Sequence, residues 1–217
     1  MQTNRLGITK NILLVIFGGF ILNQANAVNS KPIVEGVDYT ILSTPVPATG
    51  EPKGKVNVKE FFSFSCIHCK DIDPMVENTL VPNKKVDLDK IQVVWDANTS
   101  NFAKLNATIV LMKLNKLYTP AFNAVFSRQD LNDPKVLKSF LLANGLTDDQ
   151  ANKFIATYNS FTVSSKVSEY KTMSTTYNIT GTPTFIVADK YVASPALPDK
   201  LIDVVQQLVV KAANEKK

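Results

Sequence analysis

The chain predicts an α/β fold, with a central mixed β-sheet flanked by helices and interrupted by an inserted all-helical domain. Three observations lead there. A strand pattern over residues 56–64 is followed by a helical pattern and then a second β-rich run, the order of a βαβ unit with parallel pairing. A long stretch with helical spacing intervenes. The chain then returns to β at residues 183–188 and 191–193, spaced as an antiparallel hairpin, and ends in an amphipathic helix.

The first segment is expected to be a leader. Arg5 and Lys10 precede an apolar run over residues 12–22, and Ala25-Asn26-Ala27 offers a small-x-small cleavage site. That run is shorter than the roughly 20 residues a membrane-spanning helix needs. Residues 1–27 therefore read as a signal peptide, and residues 28–217 as one domain with a helical insertion at about 98–165. No Cys follows the run, so a lipid anchor has no acceptor at the junction. A soluble, exported, periplasmic chain is expected.

Charge excludes a polyanion as partner. The net charge is +5, two of which come from Arg5 and Lys10, and the basic residues are scattered. Lys211, Lys216 and Lys217 read as a solvated tail, and no nucleic-acid footprint is visible.

Along the remaining chain, residues 37–42 predict a short strand, and Pro45, Pro47, Gly50, Pro52 and Gly54 a loop. Val56, Val58, Phe62 and Phe64 share one parity, as a strand with one buried face requires. From Cys66 to about Leu80 the spacing of Ile72, Met75, Val76 and Leu80 is helical, with Pro74 expected to kink the helix. Residues 91–95 predict the next strand. Phe102, Leu105, Ile109, Met112 and Leu117 form one helical stripe. Asp133-Pro134 starts another helix that Gly145 stops, Thr147 with Gln150 makes a capping box, and Val163, Val167, Tyr170 and Tyr177 suit a further helix. The hairpin is expected to turn at Asp189-Lys190. Leu201, Ile202, Val205, Leu208, Val209 and Ala212 fall on one face of the last helix.

Chemistry concentrates in Cys66-Ile67-His68-Cys69, which holds both cysteines and the one histidine of the chain. So small a loop would stabilise little as a structural staple. The pair is a redox couple, half of a metal site, or a coincidence of spacing. On a helix starting at Cys66 the two sulfurs lie about one turn apart, so reversible closure is geometrically easy. Cys66 at the helix N-terminus would meet free N–H groups that favour a thiolate. His68 could add to that stabilisation, making the disulfide more oxidising. Glu60 shares the parity of the apolar face, which puts a carboxylate beneath the cysteines with a raised pKa, placed to relay the Cys69 proton. A zinc site would need a fourth ligand, and no further Cys or His exists to supply it.

The order strand, Cys66-x-x-Cys69, helix, helical lobe and then Gly181-Thr182-Pro183-Thr184-Phe185 opening a strand resembles the DsbA family of periplasmic dithiol oxidases on the thioredoxin fold. The stretch Val58-Lys59-Glu60-Phe61-Phe62-Ser63-Phe64 and His68 within the pair carry the resemblance most closely. It implies a cis peptide before Pro183, with Thr182 and Pro183 binding an extended substrate segment. Ile67 stands where many family members have proline, which makes it, with His68 and Glu60, a position that tunes the redox potential.

By the resemblance the chain is a protein dithiol oxidase, donating the Cys66–Cys69 disulfide to reduced secreted proteins through a mixed disulfide on Cys66. A DsbB-like quinone-linked membrane partner would reoxidise it, with no bound cofactor or metal, and the chain would act as a monomer. A disulfide isomerase or reductase on the same fold is the alternative, followed by a non-catalytic thiol or metal binder.

Overall fold

The computed structural model describes residues 31–43, 54–193 and 198–215. The leader, Pro45, Pro47, Gly50, Pro52, Lys216 and Lys217 lie outside them. In chain order the elements are β1 (Tyr39–Ile41), β2 (Val56–Phe62), α1 (Ile67–Thr79), β3 (Val86–Gln92), α2 (Ala97–Leu111), a single tight turn at Asn115–Leu117, α3 (Tyr118–Phe126), α4 (Pro134–Ala143), α5 (Asp148–Tyr158), α6 (Phe161–Thr176), β4 (Thr184–Val187), β5 (Tyr191–Ala193) and α7 (Pro198–Glu215). The strands form one mixed sheet in the order β1-β5-β4-β2-β3, with β2 and β3 parallel and the other neighbours antiparallel.

β2 is central, and every one of its residues is buried. One buried face was expected; there are two, because helices cover both sides of the sheet. Val56 and Val58 pack with Ile72 and Val76 of α1 and with the apolar stripe of α7. Phe61, of the opposite parity, packs on the other side with Ala103 of α2 and Val163 and Tyr170 of α6. Phe62 and Phe64 at the end of β2 join Cys69, Ile109, Phe122 and Phe154 in a third cluster, where the sheet meets α3, α4 and α5.

Helix ends follow local chemistry. Asp133 accepts from the N–H groups of Lys135 and Val136 with Pro134 as first helical residue, and Thr147 and Gln150 cap each other reciprocally. Gly145 takes a left-handed φ of 78° just past α4. The stripe expected to run unbroken to Leu117 is interrupted, since α2 ends at Leu111 and Lys113 adopts φ 55°. Leu117 still reaches the same cluster as Leu105 and Ile109, so its spacing reports a shared core and not a shared helix.

Two further boundaries differ from expectation. β3 begins at Val86 and ends at Gln92, not over residues 91–95. Asp87, Asp89 and Lys90 dilute its apolar signal, as an edge strand permits. Trp95 and Asp96 instead lead into α2, where Asp96 and Thr99 form a capping box. Buried Asn106 donates to the Lys90 carbonyl at 2.8 Å and accepts from the Tyr118 hydroxyl at 2.8 Å, which shields part of the β3 edge. The hairpin turns one residue early, at Ala188 and Asp189, whose φ values of 55° and 51° are those of a two-residue primed turn, closed by Lys190 N–H to the Val187 carbonyl.

A buried polar network accounts for that placement. The Lys59 ammonium, on the inner face of β2 opposite Glu60, is bound by the Asn57 side chain and by Asp189, which also accepts from the Tyr177 hydroxyl. Lys59 and Asp189 are 1% and 6% exposed, so each needs the other's charge. Asp189→Asn keeps the turn-compatible shape and strands the Lys59 charge. A loss of about 3 kcal/mol is expected, read as a lower urea midpoint at unchanged slope.

Candidate active site

The site forms where β2 hands the chain to α1. After Phe62 the backbone turns, with Cys66 N–H donating to the Ser63 carbonyl at 2.9 Å. Cys66 then stands as the N-cap of α1 in extended conformation, one residue before the helix expected to begin there. Its Sγ accepts from the Cys69 N–H at 3.3 Å, the position a serine or aspartate oxygen fills in other caps. α1 continues through Pro74, which has no N–H to give to the Lys70 carbonyl.

The second half of the site arrives from 116 residues away. β4 pairs with β2 so that Thr184 lies opposite Phe61, which carries the preceding loop to the end of β2. The Thr182–Pro183 peptide is cis. The Thr182 carbonyl accepts from the Cys66 thiol at 3.3 Å. A groove of about 650 Å³ opens beside it, lined by His68, Ile41, Tyr177, Ile179, Thr182 and Pro183.

Both cysteines are free thiols, and their surroundings separate them. Cys66 is half-buried and its thiol is lowered to about 5: the Cys69 thiol donates to its sulfur, burial opposes this, and the Thr182 side chain and the N–H groups of Cys69 and His68 donate as well. Cys69 is fully buried, and burial, followed by the neighbouring Cys66 sulfur, pushes its thiol far above the ordinary range. One sulfur is thus a ready thiolate and the other is held as a thiol. His68 is exposed and reaches Cys66 through its backbone N–H, while Ile67 is 47% exposed beside the pair.

Glu60 is 1% exposed, so its position is not an edge that reaches solvent. Its Oε2 lies 3.7 Å from Lys90 Nζ, without a hydrogen-bond partner among the described residues. Lys90 donates instead to Asp73 at 2.7 Å and Glu77 at 3.0 Å, and sits 3.9 Å from the centre of the Tyr118 ring. Three carboxylates share one ammonium, and the one that lacks a hydrogen bond holds its proton most readily. Burial raises Glu60 to about 7, with Lys90 opposing and Asp73 and Glu77 reinforcing. Burial alone would lower Lys90, but Glu60, Asp73 and Glu77 hold it above the ordinary lysine range.

Sequence reasoning reached Glu60 but missed Lys90, Asp73 and Glu77. Two signals were available: Asp73 falls within the buried arc of α1 between Cys69, Ile72 and Val76, and Lys90 has the parity that faces Glu60. Among the described residues no group of three His, Cys, Asp or Glu side chains is placed to hold a metal ion, and no helix is long and apolar enough to cross a membrane.

Comparisons with known proteins agree with this geometry. A family model described as Thioredoxin matches residues 43–207. The thiol:disulfide interchange protein DsbA of Pseudomonas syringae pv. tomato is 30% identical over 84% of this chain and 86% of its own, and that of Burkholderia cepacia is 29% identical over 94% and 96%. Among solved structures, the oxidoreductase NmDsbA1 from N. meningitidis superposes with a TM-score of 0.72 at 28% identity, covering 84% of this chain and 95% of its own. With the family model spanning most of its length and its relatives matched nearly end to end, the chain belongs to the thioredoxin family and, within it, to the DsbA thiol:disulfide interchange proteins.

Proposed function

We propose that this thiol:disulfide oxidoreductase works as a dithiol oxidase, with Cys66 as the attacked sulfur and Cys69 as its buried partner. The observation that carries the reading is the asymmetry of the pair, a thiol lowered to about 5 beside one that burial keeps protonated. Whatever stabilises the Cys66 thiolate stabilises the reduced protein, and so favours giving the disulfide away.

In the oxidised protein a substrate thiolate attacks Cys66 Sγ. The new S–S bond forms as the Cys66–Cys69 bond breaks, and its electron pair leaves on Cys69. That sulfur is buried and must take a proton. Glu60, near 7 and on the same face of β2 as Phe62, which shares a cluster with Cys69, is the acid assigned to supply it. A second substrate thiolate then attacks the substrate sulfur of the mixed disulfide and expels Cys66, a good leaving group at its low pKa. Two substrate thiols become a disulfide, and the protein keeps two electrons.

Thr182 and Pro183 line the groove beside Cys66 and would align an extended substrate segment there, with Ile67 and the exposed His68 tuning the pair. The substrates are reduced secreted polypeptides, met in the periplasm after removal of residues 1–27. A DsbB-like quinone-linked membrane partner takes the electrons in the return step. The helical insertion at about 98–165 closes the buried side of the pair, since Phe122 and Phe154 share a cluster with Cys69.

Equilibration with glutathione buffers and trapping of free thiols tests the direction. An oxidase stays reduced well into oxidising buffers, and a pair that oxidises early supports the reductase or isomerase instead. Cys66→Ser is expected to abolish oxidation of a reduced dithiol peptide, and retained turnover would sink the mechanism.

The Cys66 shift also sets a pH dependence. Its folded pKa lies below that of a free thiol, so the stability it contributes to the reduced form is complete above about 9 and is lost as pH falls through about 5. The oxidised form has no such group. The urea midpoint of the reduced form should therefore fall relative to that of the oxidised form between pH 7 and pH 4; a constant difference would contradict the assignment. Glu60→Gln removes the proton donor and is expected to slow disulfide donation by about tenfold or more, and to erase an inflection near pH 7 in its rate.

A further inference from the structure

One buried polar side chain next to the site has no part in the chemistry above. Gln92 ends β3, is fully buried, and sits in a run of apolar residues with Ile91 and Val93. Its Oε1 accepts from the Phe64 N–H at 2.9 Å. Its Nε2 donates to Ser63 Oγ at 3.2 Å and to the Val93 carbonyl at 3.0 Å. The amide can face only one way, since the reverse orientation would set its donors against the Phe64 N–H.

Ser63 passes the constraint on. Its Oγ receives Gln92 Nε2 and the Ser65 N–H at 3.3 Å, which uses both acceptor sites. Its own proton therefore goes to Ser65 Oγ, 2.9 Å away. The Ser63 carbonyl meanwhile holds the Cys66 N–H. The Phe64 N–H and the Ser63 hydroxyl, and through that hydroxyl the N–H and hydroxyl of Ser65, are thus tied to one side chain of the neighbouring strand. Cys66 Sγ accepts from the Cys69 N–H at 3.3 Å, and a shift of the turn that moves the sulfur off this donor costs the thiolate its support.

We propose that Gln92 is a positioning residue for Cys66, acting through the Phe64 N–H and Ser63 to fix where the sulfur stands between the α1 N-terminus and Thr182. This rests on the reading of Cys66 as the reactive sulfur, and it adds a residue that touches neither the sulfur nor the substrate. Its signature is a change in Cys66 itself, which a merely structural role would not produce.

The test is a pH titration of thiolate absorbance in the reduced full-length protein, which needs no substrate. Gln92→Met fills the space without the hydrogen bonds and is expected to raise the Cys66 pKa by about one unit. Ser63→Ala should raise it in the same direction by less. The double variant should go no further than Gln92→Met alone, because both act through one chain of bonds. Val205→Ala, in the core beneath α7, controls for general destabilisation and should leave the pKa unchanged.

A folded Gln92→Met protein whose Cys66 titrates as in the parent overturns the proposal. If Gln92→Met does not fold, Ser63→Ala decides by the same measurement, and an unshifted pKa is again the overturning result. The oxidase reading fails separately: a parent protein that does not oxidise dithiols would refute that reading while the titration still decides the role of Gln92.

Discussion

The pairing of β2 with β4 is the constraint on which the site depends. Cys66 and Thr182 are 116 residues apart, and no local preference could bring them together. The register that sets Phe61 against Thr184 does so across the sheet. On its other edge β2 pairs with β3, which places Gln92 against Phe62 at the point where the chain leaves the sheet. The Cys66 sulfur thus stands just beyond the end of a strand held on both edges.

Centrality has a cost that the molecule meets with charge. A strand buried on both faces has no solvent for polar side chains, yet β2 carries Lys59 and Glu60 in succession. They point to opposite sides of the sheet, and each is matched there: Lys59 by Asp189, Asn57 and Tyr177, and Glu60 by Lys90 with Asp73 and Glu77 around it. The first network is fully paired at Lys59 and holds a strained turn in place. The second has more carboxylates than cations, so it keeps a proton near neutral pH. The same burial that makes one network structural leaves the other with a carboxyl that titrates near neutral pH.

The two sulfurs follow that logic at shorter range. They are three residues apart on one helix, but Cys66 meets a row of donors at the helix start while Cys69 is enclosed by aromatic rings from the sheet and the helical lobe. Donors stabilise a thiolate and low dielectric penalises one. A difference in environment over one helical turn therefore favours a thiolate at one sulfur and a thiol at the other.

Much of this was legible in the residues. Caps at Asp133 and Thr147, Cys66 at the head of α1, the stripe of α7, the strand into the cysteines and the carboxylate of Glu60 all follow from local spacing and capping chemistry, which act within a few residues. Where tertiary partners decide, local reading went astray. β3 is assigned by its register to β2 and not by its own hydrophobicity. The hairpin turns at Ala188 because Asp189 is drawn to Lys59, and Leu117 keeps its stripe although α2 has ended. By itself the sequence determined the class of fold, the close spacing of Cys66 and Cys69 and the helix that carries them, because periodicity and caps are short-range. Only the tertiary structure decided which polar groups are buried together and what they do to the two thiols, because desolvation and charge pairing depend on distances between segments far apart in the chain.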